Sequence, residues 1–233
     1  MIVMPSNSSG WFWHSLARET GRLGHLYSPG GKAGPWPWFP YALDNGAFAM
    51  WEPKTNTFDD AAWEARGEAA WHALMVWSQV APTRPMWAIV PDVPGDADRT
   101  FAKWERMARE VTHCPRALAV QDGMVPADVL RLDLQPDVIA VGGGTEWKWA
   151  TVAEWASAFP RVHLLRCNSP TKLYELEAMG IESTDGTGWL RGDRKQTEGV
   201  EVWARSRAAP ITHHPLWPHT CRSPKNPNQE TFA

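Results

Sequence analysis

The stretch ALAVQDGMVPADVLRLDLQPDVIAVGGG, residues 117 to 144, holds two short apolar runs on either side of a segment with a helical pattern. Runs of Ala, Val, Ile and Leu without polar interruption are typical of strands that are covered on both faces. A strand, a helix and a second strand within roughly 30 residues predict a parallel βαβ unit. Both strands are followed by polar or glycine residues, QDG after the first and GGG after the second.

The same alternation continues along most of the chain. Further strands are predicted at 2–6, 41–45, 86–92, 162–167 and 181–185, and helices at 11–20, 59–80, 96–112, 126–132, 151–158, 170–179 and 197–207. Such alternation predicts a parallel sheet covered by helices, as a barrel or as a doubly wound open sheet. We predict an α/β fold with a single TIM-type (β/α) barrel over residues 1–214, followed by an irregular tail over 215–233.

Seven predicted strands are one fewer than a complete eight-stranded barrel needs. The eighth unit would be incomplete or irregular, with a short strand hidden in residues 25–40 or in 209–214. Residues 25–40, HLYSPGGKAGPWPWFP, are long for a connection and rich in Gly, Pro and Trp. We therefore also expect that segment to form a lid or one wall of a site.

Composition excludes several classes of protein. The net charge is −3, and no apolar run approaches the roughly 18 residues of a membrane span. The start, MIVMPSNSSGWFW, shows no secretory signal, so a cytoplasmic location is expected. Cys114, Cys167 and Cys221 form no CxxC pair, which indicates reduced thiols. Most of the 16 tryptophans are expected to pack in the core, with a few left to stack on bases.

Five of the predicted strands end in polar or glycine-rich residues. Their ends read LDNGAF (43–48), VPDVPGD (90–96), VQDGM (120–124), VGGGTEW (141–147) and STDGTGW (183–189). In a parallel barrel all these ends meet at one mouth, where catalytic groups lie. An Asp-Gly pair taken alone indicates a turn equally well. Asp44, Asp92 and Asp185, with one Gln and a triple glycine, together predict a polar site.

The residue types suggest a range of reactions at such a mouth. A carboxylate outside a metal-ligand set can act as a nucleophile, as a general base or as an acceptor for the N–H edge of a base. Two carboxylates that flank a glycosidic bond support an oxocarbenium-like transition state and a covalent intermediate. The triple glycine would let a flat ligand approach backbone amides.

The order of these motifs resembles the tRNA-guanine transglycosylase superfamily. Its barrel carries a DSGGFQ-like motif, a later Asp strand, a VQGG-like strand, a GG strand and a nucleophilic Asp. LDNGAF, VPD, AVQDG, AVGGG and STDGTGW look like these five motifs in turn, and the likeness spans residues 40–190. The resemblance implies exchange of a purine-like base at an N-glycosidic bond.

Carried over residue by residue, the resemblance implies that Asp185 attacks C1′ of the nucleoside and that Asp44 is the general acid and base. The residues expected to bind the base are Asn45, Gly46, Phe48, Asp92, Gln121, Asp122, Gly142, Gly143 and Gly144. Gly186 and Gly188 would leave room for a ribose. Arg166, Arg191 and Arg194 are candidates for phosphate contacts, with surface salt bridges as the equal alternative.

The chain also departs from the superfamily pattern. The C-terminal Cys/His zinc site is missing, and His213, His214, His219 and Cys221 replace it poorly, so we expect no metal and no cofactor. The short, acidic chain resembles the compact zinc-less branch that places 7-deazaguanines such as preQ0 in DNA, in a bacterial or phage-infected cell.

The partners expected from this resemblance are DNA, or alternatively tRNA, a free 7-deazaguanine, and a partner protein that aids nucleic-acid binding. Three other functions stay open. The site could use water as the acceptor, as a nucleosidase or DNA glycosylase does. The barrel could bind nucleic acid without catalysis, or it could be a metal-dependent hydrolase.

Overall fold

Eight parallel strands form the centre of the protein. The structure, a computed structural model, describes residues 1–6, 10–30, 39–190 and 194–207. The strands are β1 (Ile2–Pro5), β2 (His25–Tyr27), β3 (Tyr41–Leu43), β6 (Ala88–Ile89), β7 (Arg116–Val120), β8 (Val138–Val141), β9 (Val162–Leu164) and β10 (Ser183–Gly186), and the hairpin strands β4 (Trp51–Glu52) and β5 (Thr57–Phe58) lie between β3 and β6. Neighbours in the sheet follow the order β1, β10, β9, β8, β7, β6, β3, β2.

The two ends of this strand order meet, so the sheet is nearly closed. Val3 and Leu23 form an isolated parallel bridge, and Ser6 and Leu26 form another. The Gly24 N–H also donates to the Val3 carbonyl at 2.9 Å. The predicted TIM-type barrel is confirmed, with an irregular seam between β1 and β2. The eighth strand, β2, lies in the first of the two predicted segments.

Helices follow most barrel strands and cover the sheet. They are α1 (Trp11–Thr20), α2 (Asp60–Ala62), α3 (Glu68–Gln79), α4 (Ala97–Met107), α5 (Pro126–Val129), α6 (Thr145–Ala158), α7 (Lys172–Ala178) and α8 (Arg194–Ser206). A π-helical turn over Trp63–Gly67 joins α2 to α3. No helix within the described ranges has the length and apolar character needed to cross a membrane.

Two sequence predictions fall partly or wholly outside the described residues. The central part of the expected lid over 25–40, residues 31–38, lies outside the described residues. The tail over 215–233, together with the alternative eighth strand at 209–214, lies beyond residue 207, where the description ends.

The barrel interior holds the ring of Trp87 among aliphatic side chains, several of them alanines. Trp87 is fully buried there, and Ala42, Ala117, Ala119 and Ala140 belong to the same cluster. The alanines leave the volume that the indole occupies, in keeping with the close packing of protein interiors. Core packing also accounts for most of the other tryptophans that the structure describes. Trp13, Trp63, Trp71, Trp104, Trp155, Trp189 and Trp203 are buried, whereas Trp11 is exposed.

A buried histidine on β2 gives the fold a testable sensitivity to acid. His25 stacks on Tyr27 with ring centroids 4.1 Å apart, and neither ring nitrogen finds a hydrogen-bond partner among the described residues. Burial, aided by the nearby His14, lowers the pKa of His25 to about 4. Below pH 6.5, His25 therefore binds a proton in the unfolded chain but not in the folded chain. The stability of the folded protein consequently falls as the pH falls towards 4.

We expect the wild type to lose about 2 kcal/mol more stability than a His25→Phe variant between pH 7 and pH 5. Phenylalanine retains the stacking ring but cannot be protonated. Urea unfolding of both proteins at the two pH values measures the difference. An equal loss in both would show that His25 is not the acid-sensitive group.

Candidate active site

A cavity of about 660 Å³ opens at the carboxyl ends of the barrel strands. All five sequence motifs contribute to its wall, with the polar residues Ser6, Asp44, Asn45, Asp92, Gln121, Arg166 and Asp185 beside Gly46, Phe48, Gly142 and Gly143. Strand alternation explains the convergence. Ala119 and Ala140 point into the barrel, so Gln121 and Gly142, two residues further on, face the same side at the mouth.

Asp185 is held at the end of β10 by groups from two neighbouring strands. Its Oδ1 accepts the Arg166 backbone N–H at 2.7 Å and lies 3.3 Å from Nε2 of His163. Its Oδ2 lies 3.5 Å from the Ser6 hydroxyl. The carboxylate is only 5% exposed, yet it lines the cavity. The result is a rigid acid with one edge turned to the open space.

Asp44 lies at the end of β3 and lines the same cavity. Burial raises its pKa to about 7, and the negative charges of Asp185 and Asp92 add to that rise. The backbone N–H of Asn45, 2.9 Å from Oδ1, opposes the shift but does not outweigh it. A carboxyl group with this pKa exchanges protons readily near neutral pH, as a general acid and base requires.

Asp92 is the centre of a closed set of hydrogen bonds on the cavity wall. The Asn45 amide donates to its Oδ1 at 2.8 Å, and the Gln121 amide donates to its Oδ2. The Gln121 carbonyl oxygen in turn accepts the Gly95 N–H at 3.1 Å. Burial raises the pKa of Asp92, although both amides favour its charged form. The three side chains are therefore preorganised, with carboxylate lone pairs still available for an N–H edge.

The glycines after β8 divide into two groups. Gly142 and Gly143 line the cavity, and Gly143 adopts a φ of +70°, which a residue with a side chain rarely adopts. Gly144 caps α6, and its N–H donates to the Asp122 carboxylate at 2.6 Å. Asp122 and Gly144 are not among the described residues that line the cavity. Asp122 thus places its charge at the N-terminus of α6, where the helix dipole favours it.

Arg166 connects the nucleophile candidate to the rim of the cavity. Its guanidinium donates to the Gly143 carbonyl at 2.7 Å and lies over the Phe48 ring, 4.6 Å from the centroid. Phe48 is 47% exposed, so its ring is open to a ligand. The backbone of Arg166 has a φ of +58°, uncommon for a residue that is not glycine. This conformation directs its N–H to Asp185.

Lys148 on α6 supports the same turn and was not found from the sequence. Its Nζ donates to the carbonyls of Leu165 and Arg166 at 2.8 and 3.2 Å, and the residue is only 3% exposed. Burial and the adjacent Arg166 lower the pKa of Lys148 to about 8. Lysine is a charged residue and is normally expected at the surface, so the stretch EWKWA does not indicate that Lys148 is buried.

His163 and Ser183 were also missed, although a signal was available. His163 lies between Val162 and Leu164 on β9, and the β9–β10 register places it directly opposite Ser183. Once Asp185 is assigned to the inward face, Ser183 must share that face, since it lies two residues earlier. The tight pairing with β9 then brings His163 to the same place.

Two expectations concern residues that follow Asp185 in the chain. One is that Gly186 leaves room for a ribose, and the other is that Arg191 and Arg194 contact phosphate. A Cβ built on Gly186 would come within 2.7 Å of the Cys167 carbonyl, so this glycine permits close backbone packing rather than leaving room for a ribose. Arg194 forms an ion pair with Glu198 at 2.6 Å and is not part of the described cavity wall. Arg191 lies outside the described residues.

Within the described ranges no group of three or more His, Cys, Asp or Glu side chains could hold a metal ion. His213, His214, His219 and Cys221 lie beyond those ranges. Compared with models of known protein families and with curated proteins, the chain matches none of them.

Proposed function

We propose that the protein is a base-exchange transglycosylase that replaces guanine in DNA with a 7-deazaguanine such as preQ0. The observation that carries the proposal is the joint exposure of Asp185 and Asp44 to one cavity whose wall also holds the Asp92–Gln121 pair. The ordered likeness of five motifs to the tRNA-guanine transglycosylase superfamily supports the same reaction. A volume of about 660 Å³ suits a nucleoside-sized ligand.

In the proposed reaction Asp185 forms a bond to C1′ of the target nucleotide while the C1′–N9 bond to guanine breaks. The electron pair of that bond leaves with the base, and Asp44 supplies the proton that neutralises it. The incoming 7-deazaguanine then gives its proton to Asp44, and its nitrogen displaces Asp185 from C1′. Asp44 returns to its starting form, so the cycle consumes no proton and no cofactor.

The base would be bound between the polar wall and the backbone of Gly142 and Gly143. Asp92 and Gln121 present oxygen acceptors and an amide donor, which match the N–H and carbonyl edge of a guanine-like ring. Phe48 offers an exposed aromatic face on the rim, where base stacking contributes about 1–3 kcal/mol per base. A target in duplex DNA would have to be flipped out to enter the cavity.

The test is a base-exchange assay with guanine-labelled duplex DNA and, separately, labelled tRNA, each with and without preQ0. We expect release of at most one guanine per protein molecule without preQ0, sustained release with it, and a deazaguanine in the digested DNA. Release without incorporation would favour a glycosylase that uses water. Exchange in tRNA alone would reassign the substrate, and no release from either polymer would contradict the enzymatic proposal for this chain. If a partner protein aids DNA binding, added cell extract should increase the rate of base exchange.

The rim of the cavity also carries a cation suited to a phosphate. Arg66, on the π-helical turn, lines the cavity and is exposed, and no carboxylate in the described residues pairs with it. We expect Arg66→Gln to weaken DNA binding and to reduce the slope of log affinity against log salt concentration by about 1. Fluorescence anisotropy at several salt concentrations measures this slope.

The matched control for that prediction is Arg106→Gln on α4. Arg106 pairs with Glu68 at 3.0 Å and takes no part in the described cavity wall. It should leave the slope unchanged. Equal effects of the two substitutions would indicate that Arg66 contributes only to the general charge of the protein.

A further inference from the structure

Beneath Asp185, in the closed part of the barrel, lies a buried chain of polar side chains. Nδ1 of His163 is 2.8 Å from the Ser183 hydroxyl, and Nε2 is 3.3 Å from Oδ1 of Asp185. His163 and Ser183 have no solvent exposure, and the Trp87 ring lies against His163 with centroids 4.6 Å apart. A polar chain in such a place is costly unless its members satisfy one another.

The partners of His163 determine which nitrogen carries its proton. The Asp185 carboxylate can only accept a hydrogen bond, so Nε2 must donate. In the neutral ring Nδ1 is then an acceptor, and the Ser183 hydroxyl donates to it. Cross-strand register makes this arrangement rigid, because Ser183 and His163 are paired residues of β10 and β9.

The two oxygens of Asp185 are consequently unequal. Oδ1 is bound by the Arg166 N–H at 2.7 Å and by the His163 ring at 3.3 Å. Among the described residues, the one hydrogen-bond neighbour of Oδ2 is the Ser6 hydroxyl, at 3.5 Å. Two donors draw electron density from Oδ1 and fix its position, whereas the lone pairs of Oδ2 stay available.

We propose that His163 is a positioning residue that holds Oδ1 of Asp185 and thereby makes Oδ2 the atom that attacks the anomeric carbon. Oδ2 bonds to C1′ as the bond from C1′ to the base breaks, and the electron pair departs with the base. His163 transfers no proton in this step and touches no substrate. The attack rests on the proposed function, whereas the hydrogen bonds and the tautomer of His163 do not depend on it.

The tautomer is tested first, by ¹⁵N NMR of histidine side chains in the whole protein without substrate. Comparison with a His163→Gln variant identifies the His163 signals. We expect a proton on Nε2 and none on Nδ1, and a clear change of both nitrogen shifts in an Asp185→Ala variant. A proton on Nδ1 would overturn the inference, and so would ¹⁵N shifts of His163 that stay the same in the Asp185→Ala variant. Either result counts whether or not the protein exchanges bases.

The positioning role is tested by exchange kinetics of His163→Gln and His163→Leu. Glutamine can still donate to Oδ1 and leucine cannot, so kcat should fall further for leucine, by about 10-fold to 100-fold, with KM unchanged. Ser183→Ala, which removes only the hydroxyl behind the ring, should give a smaller fall in kcat. An unchanged kcat in folded His163→Leu protein, or equal losses of kcat and of binding in all three variants, would contradict a positioning role.

If the wild type exchanges no base, the proposed function and the attack by Oδ2 fail together, and the NMR result then decides the hydrogen bonds and the tautomer of His163 separately. Thermal unfolding of each variant accompanies the kinetics. Should His163→Leu fail to fold, the comparison of Ser183→Ala with the wild type takes its place, because that substitution removes a single buried oxygen.

Discussion

An Asp185→Ala variant is expected to lose base exchange by about 10,000-fold or more while keeping the barrel intact, because removal of a nucleophile abolishes the covalent route. The carboxylate is buried and accepts the Arg166 N–H, so alanine leaves that donor without its partner. A stability loss of about 1–3 kcal/mol follows from the unsatisfied group. Exchange of labelled guanine, together with circular dichroism and urea unfolding, separates the two effects.

Alanine is preferred to asparagine at this position for a chemical reason. An asparagine directly before Gly186 would be prone to deamidation, which would restore an aspartate and some activity. The matched control is Asp96→Ala. Asp96 is at the same end of the barrel, where it caps α4 through the Arg99 N–H at 3.0 Å, and it is not among the described cavity-lining residues.

The control variant should lose about 1 kcal/mol of stability and no exchange activity. A comparable loss of exchange in both variants would mean that stability, rather than chemistry, explains the result. Retention of exchange by Asp185→Ala would exclude this residue as the nucleophile.

The second large effect concerns Asp44. With a pKa of about 7, this group is present in both protonation states at neutral pH. The proposed reaction needs the protonated form for departure of guanine and the charged form for entry of the new base. We therefore expect wild-type kcat to be greatest near pH 7 and to fall on both sides. Asp44→Asn should lower kcat by about 100-fold to 10,000-fold at every pH.

The same variant should be more stable than the wild type at high pH. Because the folded pKa of Asp44 is raised, the folded protein binds more protons than the unfolded chain between pH 3.8 and about 7. Stability therefore decreases as the pH rises through that window. Asparagine does not ionise, so Asp44→Asn should gain about 2–4 kcal/mol over the wild type at pH 8 and little at pH 4. Urea unfolding at both pH values measures this gain, and an equal difference at the two values would contradict the raised pKa.

Much of the barrel could be predicted from the sequence because its strands are nearly continuous apolar runs. The runs at 117–122 and 138–144 correspond to β7 and β8, and both lead into polar ends that face the cavity. Very short strands were harder to predict. β2 has three residues and the β4–β5 hairpin has strands of two, too few to establish a period.

The start of α6 shows why boundaries depend on tertiary contacts. The sequence predicts a helix from residue 151, whereas α6 begins at Thr145, directly after Gly144. The extended Gly144 backbone and the Asp122 carboxylate, which comes from another loop, favour a start at that point. Asp122 precedes Gly144 by 22 residues, so no local pattern contains this interaction.

The cavity-facing carboxylates could be predicted because each follows a strand, whereas the groups that tune them could not. Asp44, Asp92 and Asp185 were identified from strand ends. Lys148 and His163 act through contacts between elements and read in the sequence as ordinary helix and strand residues. The raised pKa of Asp44 likewise depends on burial and on two other carboxylates that only the fold brings close.

The central claim is that Asp185 bonds covalently to the sugar of a nucleic acid. The most direct measurement is to denature the protein rapidly after mixing with duplex DNA, isolate any protein–DNA adduct, and locate the modified peptide by mass spectrometry. The account predicts an adduct on the peptide that contains Asp185, formed before preQ0 is added and lost after its addition. Absence of an adduct in protein that exchanges bases, or an adduct on any other residue, would contradict it.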